Sequence, residues 1–233
     1  MRTIEDAGPG RPGLAGHPEQ VEPVTRLSQT GRVEAFSDGV MAIAITLLVL
    51  DLKVPTAAEV SDRGSLLAAL ASHWPSYLAY LAAFLTIGII WLNHRAFVDR
   101  VRRFDNRMQW LNLALLLGVA TLPFPTALMA AYVNAPGPEA STAAAAYGLL
   151  SVATALPWIL MWRHLVGHPE LLEPPHDAAY ARAELKRASI GPVIYLVAVP
   201  IALVAPLVAL LFYVAIAVLY AITSEGIGRR SGH

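Results

Sequence analysis

Six stretches of the chain are apolar over long runs, and short polar or proline-bearing segments separate them. An α-helix rises 1.5 Å per residue, so about 20 mostly apolar residues cross a bilayer. The first stretch covers 32–52 and ends at Pro55 and the polar run 56–63. The second covers 66–97, longer than a crossing requires, which predicts tilt or an interfacial first turn before Pro75. The third covers 109–132, where Pro123 and Pro125 predict a kink. The fourth covers 141–162. The last block, 188–223, is too long for one span and too short for two with a long loop. Ala205-Pro206 predicts a tight turn there, giving a fifth and a sixth helix packed as a hairpin. The pattern predicts an all-α, polytopic membrane protein with six transmembrane helices over 32–224. A disordered cytoplasmic tail is expected over 1–31, and a second short tail over 225–233.

Composition agrees with the blocks: 56% of the 233 residues are hydrophobic, above the usual soluble share. The chain has no cysteine, which excludes disulfides, thiolate catalysis and zinc–sulfur sites. Formal net charge is zero, but the basic residues are unevenly placed. Arg2, Arg11, Arg26 and Arg32 precede the first span, and Arg95, Arg100, Arg102, Arg103 and Arg107 follow the second. Arg163, Arg182, Lys186 and Arg187 follow the fourth, and Arg229 and Arg230 close the chain. With six spans all of these face one side, leaving only Lys53 and Arg63 on the other. The positive-inside rule then makes both termini cytoplasmic. Trp74, Tyr77, Trp91, Trp110, Tyr132, Trp158, Trp162 and Tyr220 lie near span ends and read as an aromatic belt.

The first span carries the unusual chemistry. Val40 to Leu50 contains one polar residue, Thr46, yet Ser37 and Asp38 stand at its threshold. A carboxylate beside lipid is costly unless it is paired or lines something wet. Partners must lie at the same depth, and the end of the second span supplies Asn93, His94 and Arg95. A neutralising cluster of Arg32, Asp38 and His94 is therefore expected. On a helix, Gly39, Ile43, Thr46 and Leu50 share one face. The other faces are apolar too, so periodicity alone reads equally as ordinary packing of a buried membrane helix. Asp51 reads as a solvated interface charge offset by Lys53.

Arg32, Phe36, Ser37 and Asp38 stand in the spacing Arg-x-x-x-Phe-Ser-Asp ahead of an apolar helix. This resembles the signature of the transmembrane protein 175 family of potassium channels. The run 42–50 and the Trp-x-Asn-His string at 91–94 are similar to bacterial members. The resemblance covers about 32–223; the later spans match only in number and length. It implies a pore lined by the first helix around a four-fold axis, with apolar side chains as constriction and filter. Family channels lack the Thr-Val-Gly-Tyr-Gly carbonyl filter, as does this chain. Bacterial members carry one six-span repeat and assemble as homotetramers. Carried over, Ile43 maps to the narrowest ring, with Thr46 and Leu50 lining the next turns and Gly39 widening the cytoplasmic side. Arg32, Phe36, Ser37, Asp38, Asn93 and His94 map to a supporting network. The implied activity is leak-like cation conduction, modestly selective for potassium over sodium, in a lipid bilayer. It needs no cofactor, no nucleic acid and no metal beyond transient potassium.

Two other classes remain open from the residues alone. A secondary transporter uses paired interrupted helices, and Pro123 with Pro125 against Pro200 with Pro206 resembles that pattern weakly. A membrane enzyme needs facing nucleophiles and bases, or a metal. His164 and His168 have helical metal-pair spacing, but Gly167 and Pro169 flank the second of them and no carboxylate-rich span opposes the pair.

Overall fold

In the computed structural model the described residues, 29–223, form an all-helical bundle. The tails expected over 1–31 and 225–233 lie outside them, apart from the first turn of the first helix. α1 (Gln29–Leu47) tightens into a 3-10 turn over Leu48–Asp51. Thr56 then opens α2 (Ala57–Arg63). Its hydroxyl accepts from the Glu59 amide at 3.2 Å, and the Glu59 carboxylate accepts from the Thr56 amide at 2.6 Å. Such a reciprocal cap satisfies two orphan donors of a short helix. Ser65 caps α3 (Leu66–Ser72) in the simpler way.

The chain breaks at His73, and α4 (Trp74–Val98) begins with Pro75 in its first turn, where a proline lacks no needed donor. The interfacial turn expected at the head of the second span is thus a separate helix, α3. The predicted kink in the third span is a full break at Leu122, between α5 (Asn106–Thr121) and α6 (Pro123–Tyr132). α7 (Pro138–Gly167) and α8 (Ala178–Val204) come next. Ala205 separates α8 from α9 (Pro206–Thr223), and these two helices pack together. Five helical stretches are long and apolar enough to cross a membrane: 30–51, 74–98, 106–132, 138–167 and 178–204. α9 is apolar but shorter. The protein is therefore a multi-pass membrane protein with five demonstrable spans among the described residues, and a sixth is not among them by this measure.

α7 is the central helix, packed against α5, α6, α8 and α9. α1 lies on α4 and α5. Close approach between α5 and α7 depends on Gly118, where a Cβ would stand 2.7 Å from the Thr154 hydroxyl and 2.9 Å from its Cα. Small residues serve this purpose between membrane helices, where van der Waals packing replaces the hydrophobic drive. Gly118→Ala should destabilise the protein by about 1–3 kcal/mol, because backbone must move to admit the methyl group. Gly88→Ala, whose Cβ meets nothing within 4 Å, serves as the control. Melting in detergent, followed by size exclusion, separates the two. Equal midpoints would remove the argument for a close crossing.

The arginine-bearing segments converge at one end. The Arg102 amide donates to the Leu171 carbonyl at 2.8 Å, and the Glu173 amide to the Arg100 carbonyl at 2.9 Å. The loop after α4 is thereby tied to the loop after α7 by a single antiparallel bridge, Val101 to Leu172. The Thr30 hydroxyl donates to the Arg102 carbonyl at 3.3 Å, bringing the start of α1 to the same end. Below this seam Phe97, Phe104, Trp158 and Trp162 stack edge to face or tilted. Trp162, expected in the aromatic belt, is fully buried in this cluster. It packs as core because α4, α7 and α8 enclose it. Trp110 and Trp74 do lie exposed, and the side chain of Tyr220 is outside the described set.

Asp105 anchors the same end. It caps α5 through the Met108 amide at 2.8 Å and accepts from His164 Nε2 at 2.6 Å. His164 is thus committed to a carboxylate at the head of α5, while the His168 ring lies against it and bonds the His164 carbonyl at 3.1 Å. Partial burial pushes the Asp105 carboxyl up, but the Met108 N–H and His164 outweigh it and hold it below the usual 3.8. A depressed folded value means the contribution is fully present above the unfolded value and is lost as pH falls through the folded one. Asp105→Asn keeps the cap but loses the charge. Wild type should therefore be the more stable at pH 7, and its advantage should vanish once pH drops well below 3.8. Melting of both proteins across pH checks this, and a gap that persists in acid would refute it.

Candidate functional site

The first helix has two faces with opposite fates. Ser37, Met41, Ala44 and Leu48 are buried against α4 and α5. At about 100° per residue, Gly39, Ile43 and Thr46 point roughly 180–240° away from Ser37. They are exposed, as is Leu50, with Ile43 at 62% and Leu50 at 74%. Only 22% of this span's apolar window is buried within the protomer, against 33–44% for the next three spans. A helix that presents large apolar side chains outward from a built core is available to lipid, to another copy of the chain, or to a pore.

The helical register changes within that face. Leu48–Asp51 wind as a 3-10 turn, in which side chains three apart eclipse. Leu50 therefore stacks on Leu47, itself exposed, instead of continuing straight from Thr46. The distance from Ile43 to Leu50 along the axis grows from about 10 Å for a continuous α-helix to about 12 Å. The Thr46 hydroxyl donates to the Ile43 carbonyl at 2.8 Å, so its proton is committed to its own helix and its oxygen faces outward. Leu47 belongs with the face residues, one α-helical turn from Ile43.

On the inner side the polar residues form two separate links. Asp38 accepts from Trp91 Nε1 at 2.9 Å. Ser37 enters a directed chain. Its hydroxyl donates to the Val33 carbonyl at 2.8 Å and accepts from Asn112 Nδ2 at 3.0 Å. Asn112 Oδ1 in turn accepts from His94 Nε2 at 2.8 Å. The amide orientation places the His94 proton on Nε2, so each link has one donor and one acceptor. His94, Asn112 and Ser37 are all buried. A chain of buried hydrogen bonds rigidifies the helices that share it, here α1, α4 and α5, although His94 Nδ1 has no partner among the described residues. Within that frame Ser37 and Asp38 fix the rotation of α1 about its axis.

The expected ring of Arg32, Asp38 and His94 is not what forms. Among the described residues no ion pair joins Arg32 to Asp38. Arg32 and Phe36 instead line an outer cleft of about 400 Å³ with Val33, Gln109, Asn112 and Leu113. Phe36 is exposed and joins none of the hydrogen bonds. Asn93 points away, into a different cavity. The reason is geometric: about 200° separates Asn93 from Trp91 on α4, whereas His94 lies only about 60° from Trp91. Trp91 and Asn112 are the partners that sequence reasoning missed. An asparagine inside an apolar span is costly unless hydrogen-bonded, and that signal was available at Asn112.

A family model described as endosomal/lysosomal potassium channel TMEM175 matches residues 32–123, which contain both links and the exposed face. A protein named as a potassium channel from Streptomyces collinus is 46% identical over 182 residues, 78% of this chain and 86% of its own. Another so named, from Chamaesiphon minutus, is 44% identical over 171 residues, 73% of this chain and 83% of its own. A crystal structure described as a lysosomal potassium-selective channel TMEM175 homolog from Chamaesiphon minutus superposes with a TM-score of 0.75 at 37% identity. It covers 84% of this chain and 98% of that one.

Proposed function

This chain belongs to the TMEM175 family, whose members are ion channels and not enzymes, and we propose that it is itself a leak-like cation channel, modestly selective for potassium over sodium. In this reading α9 supplies a sixth span, both termini are cytoplasmic, and four copies surround an axis in a bacterial inner membrane. The observation that carries it is the exposed face Gly39, Ile43, Thr46 and Leu50 on a helix otherwise held rigidly from behind. Four such faces would stack apolar rings at Ile43 and Leu50, with Thr46 oxygens between them. An apolar ring controls conduction through its diameter and wetting. The hydroxyl oxygens offer a partly dehydrated cation few contacts, so discrimination between potassium and sodium is modest. Gly39 leaves room on the cytoplasmic side, and the Ser37–Asn112–His94 and Asp38–Trp91 links orient the rings without touching the ion.

Purified protein in a voltage-clamped bilayer should pass unsaturated potassium current, with a reversal potential under a potassium–sodium gradient on the potassium side. Mass measurement in mild detergent should give about 100 kDa, four times 25.0 kDa. Saturable flux without current would point to a transporter, and a monomer would end the shared-pore reading.

A further inference from the structure

A second feature lies away from α1. A partly open cavity of about 490 Å³ runs beside α4, α5, α7 and α8, within the range of ligand sites of about 300–1,000 Å³. α4 and α8 make no extensive contact, which leaves a gap between them. The charged residues of the lining, Arg100, Glu184 and Arg187, belong to the arginine-rich end. The protein itself engages them. Arg187 pairs with Glu184 at 3.0 Å, Arg100 sits over the Tyr180 ring, and both arginines make further interactions. This end therefore offers a ligand no free charge.

Deeper in, the polar groups are uncharged. Asn93 lines the cavity, about 10 Å along α4 from Arg100. Among the described residues its side chain makes no hydrogen bond. A primary amide carries two N–H donors and an accepting carbonyl, and leaving it unbonded beside hydrocarbon is costly. α8 adds a backbone group. Pro192 lies inside that helix and has no N–H, so the Ala188 carbonyl lacks its usual donor four residues on. Ala188 and Pro192 both line the cavity. Thr86, Ser151 and Thr154 line it too, but each hydroxyl donates to a carbonyl of its own helix at 2.7–2.8 Å. Their oxygens keep only the capacity to accept. The rest of the wall is apolar, with Ile90, Leu115 and Leu122 in it.

We infer that this cavity binds a neutral single-chain amphiphile, its hydroxyl or amide head at Asn93 and its hydrocarbon chain along α4 toward Thr86. Acceptors outnumber donors in the wall, so the head must bring a donor of its own. A carboxylate or phosphate only accepts, and meets the wrong partners. An ammonium group would bury its charge without a free carboxylate. An alcohol accepts from the Asn93 N–H and donates to one of the spare oxygens. One such hydrogen bond should favour the alcohol about fivefold over an alkane of the same length. No residue of α1 lines the cavity, so the inference stands whether or not α1 lines a pore.

The full-length protein in detergent is irradiated with undecanol carrying a diazirine at its chain end, and the labelled peptides are located by mass spectrometry. Saturable labelling is expected on α4 near Thr86 and on α8 near Tyr195, both in the lining. At equal mole fraction in the micelle, undecanol should compete about fivefold better than undecane, and undecyl sulfate should not compete. In Asn93→Leu the alcohol should lose that advantage and compete as the alkane does. Asn93 has no hydrogen bond within the described residues to lose, so this variant should fold. Ala155→Phe, which fills the cavity, should abolish the labelling. Should Ala155→Phe fail to fold, Asn93→Leu decides alone. Labelling that does not saturate or falls elsewhere overturns the inference. So does an alcohol advantage that survives Asn93→Leu, or undecyl sulfate competing as well as undecanol.

Discussion

Ile43→Asn should raise potassium conductance by about tenfold or more and move the reversal potential toward zero under a potassium–sodium gradient. The argument rests on wetting. An apolar constriction conducts only when water fills it, and the cost of filling sets the barrier. Four amide side chains at that level supply donors and acceptors where four sec-butyl groups supplied none. A barrier lowered by only about 1.4 kcal/mol already multiplies the rate tenfold. Discrimination falls together with the barrier, because a hydrated cation need shed less of its shell. Ile43 is 62% exposed within the protomer, so the change should leave the melting midpoint of the folded chain nearly unmoved. Ala44→Asn, one residue on and buried, should instead damage folding and reveal nothing about conduction. Ile43→Leu should preserve both current and selectivity. If Ile43→Asn folds, inserts and conducts as wild type does, the side chain faces lipid or another subunit and the constriction lies elsewhere.

Depth along the membrane was legible in the chain, and azimuth around each helix much less so. Hydropathy located α1, α4, α5 with α6, α7 and α8, because a bilayer imposes a length that the sequence must meet. Ala205-Pro206 marked the hairpin turn, because a proline cannot continue the α8 ladder. The polar string at Arg32 to Asp38 marked α1 as the helix tied to its neighbours by polar links for the same reason: charges near lipid need partners. Choosing the partners required knowing which residues of α4 and α5 face α1. Asn93, His94 and Arg95 all lay at the right depth. His94 and Arg95 both share a face with Trp91, and a helical wheel of α4 would have excluded Asn93. Asn112 comes from α5, 75 residues away from Ser37, and no local pattern reports that α5 crosses behind α1. The 3-10 turn at Leu48–Asp51 was hidden for another reason. Leucine, valine and leucine suit either winding, and the chain leaves helical structure directly beyond the turn, over 52–56. The family resemblance carried Gly39, Ile43, Thr46 and Leu50, which periodicity on an all-round apolar helix did not single out.

Asn112→Leu should destabilise the protein by about 2–4 kcal/mol, more than any other change to the polar support, from the loss of buried hydrogen bonds. Among the described residues this side chain is the sole link between His94 and Ser37. Leucine nearly conserves its volume, so the packing loss is small and the polar loss dominates. His94 is fully buried, and its Nδ1 already has no partner among the described residues. Losing Asn112 would leave neither ring nitrogen bonded, at about 1–3 kcal/mol for each buried group stranded. The Ser37 hydroxyl suffers less, since its donor bond to the Val33 carbonyl survives. Removing one partner and removing both are different experiments. Replacing His94 as well, in the double variant Asn112→Leu with His94→Phe, should recover part of the lost stability, because no imidazole then remains to be satisfied. Melting of the single and double variants in detergent measures that coupling directly. A double variant less stable than Asn112→Leu alone would mean that His94 contributes through something other than this bond. In protein that still folds, Asn112→Leu should disturb potassium over sodium discrimination only slightly, because Asp38 keeps its own link to Trp91 and holds the rotation of α1. A large selectivity change at unaltered stability would instead put the network on the ion's path.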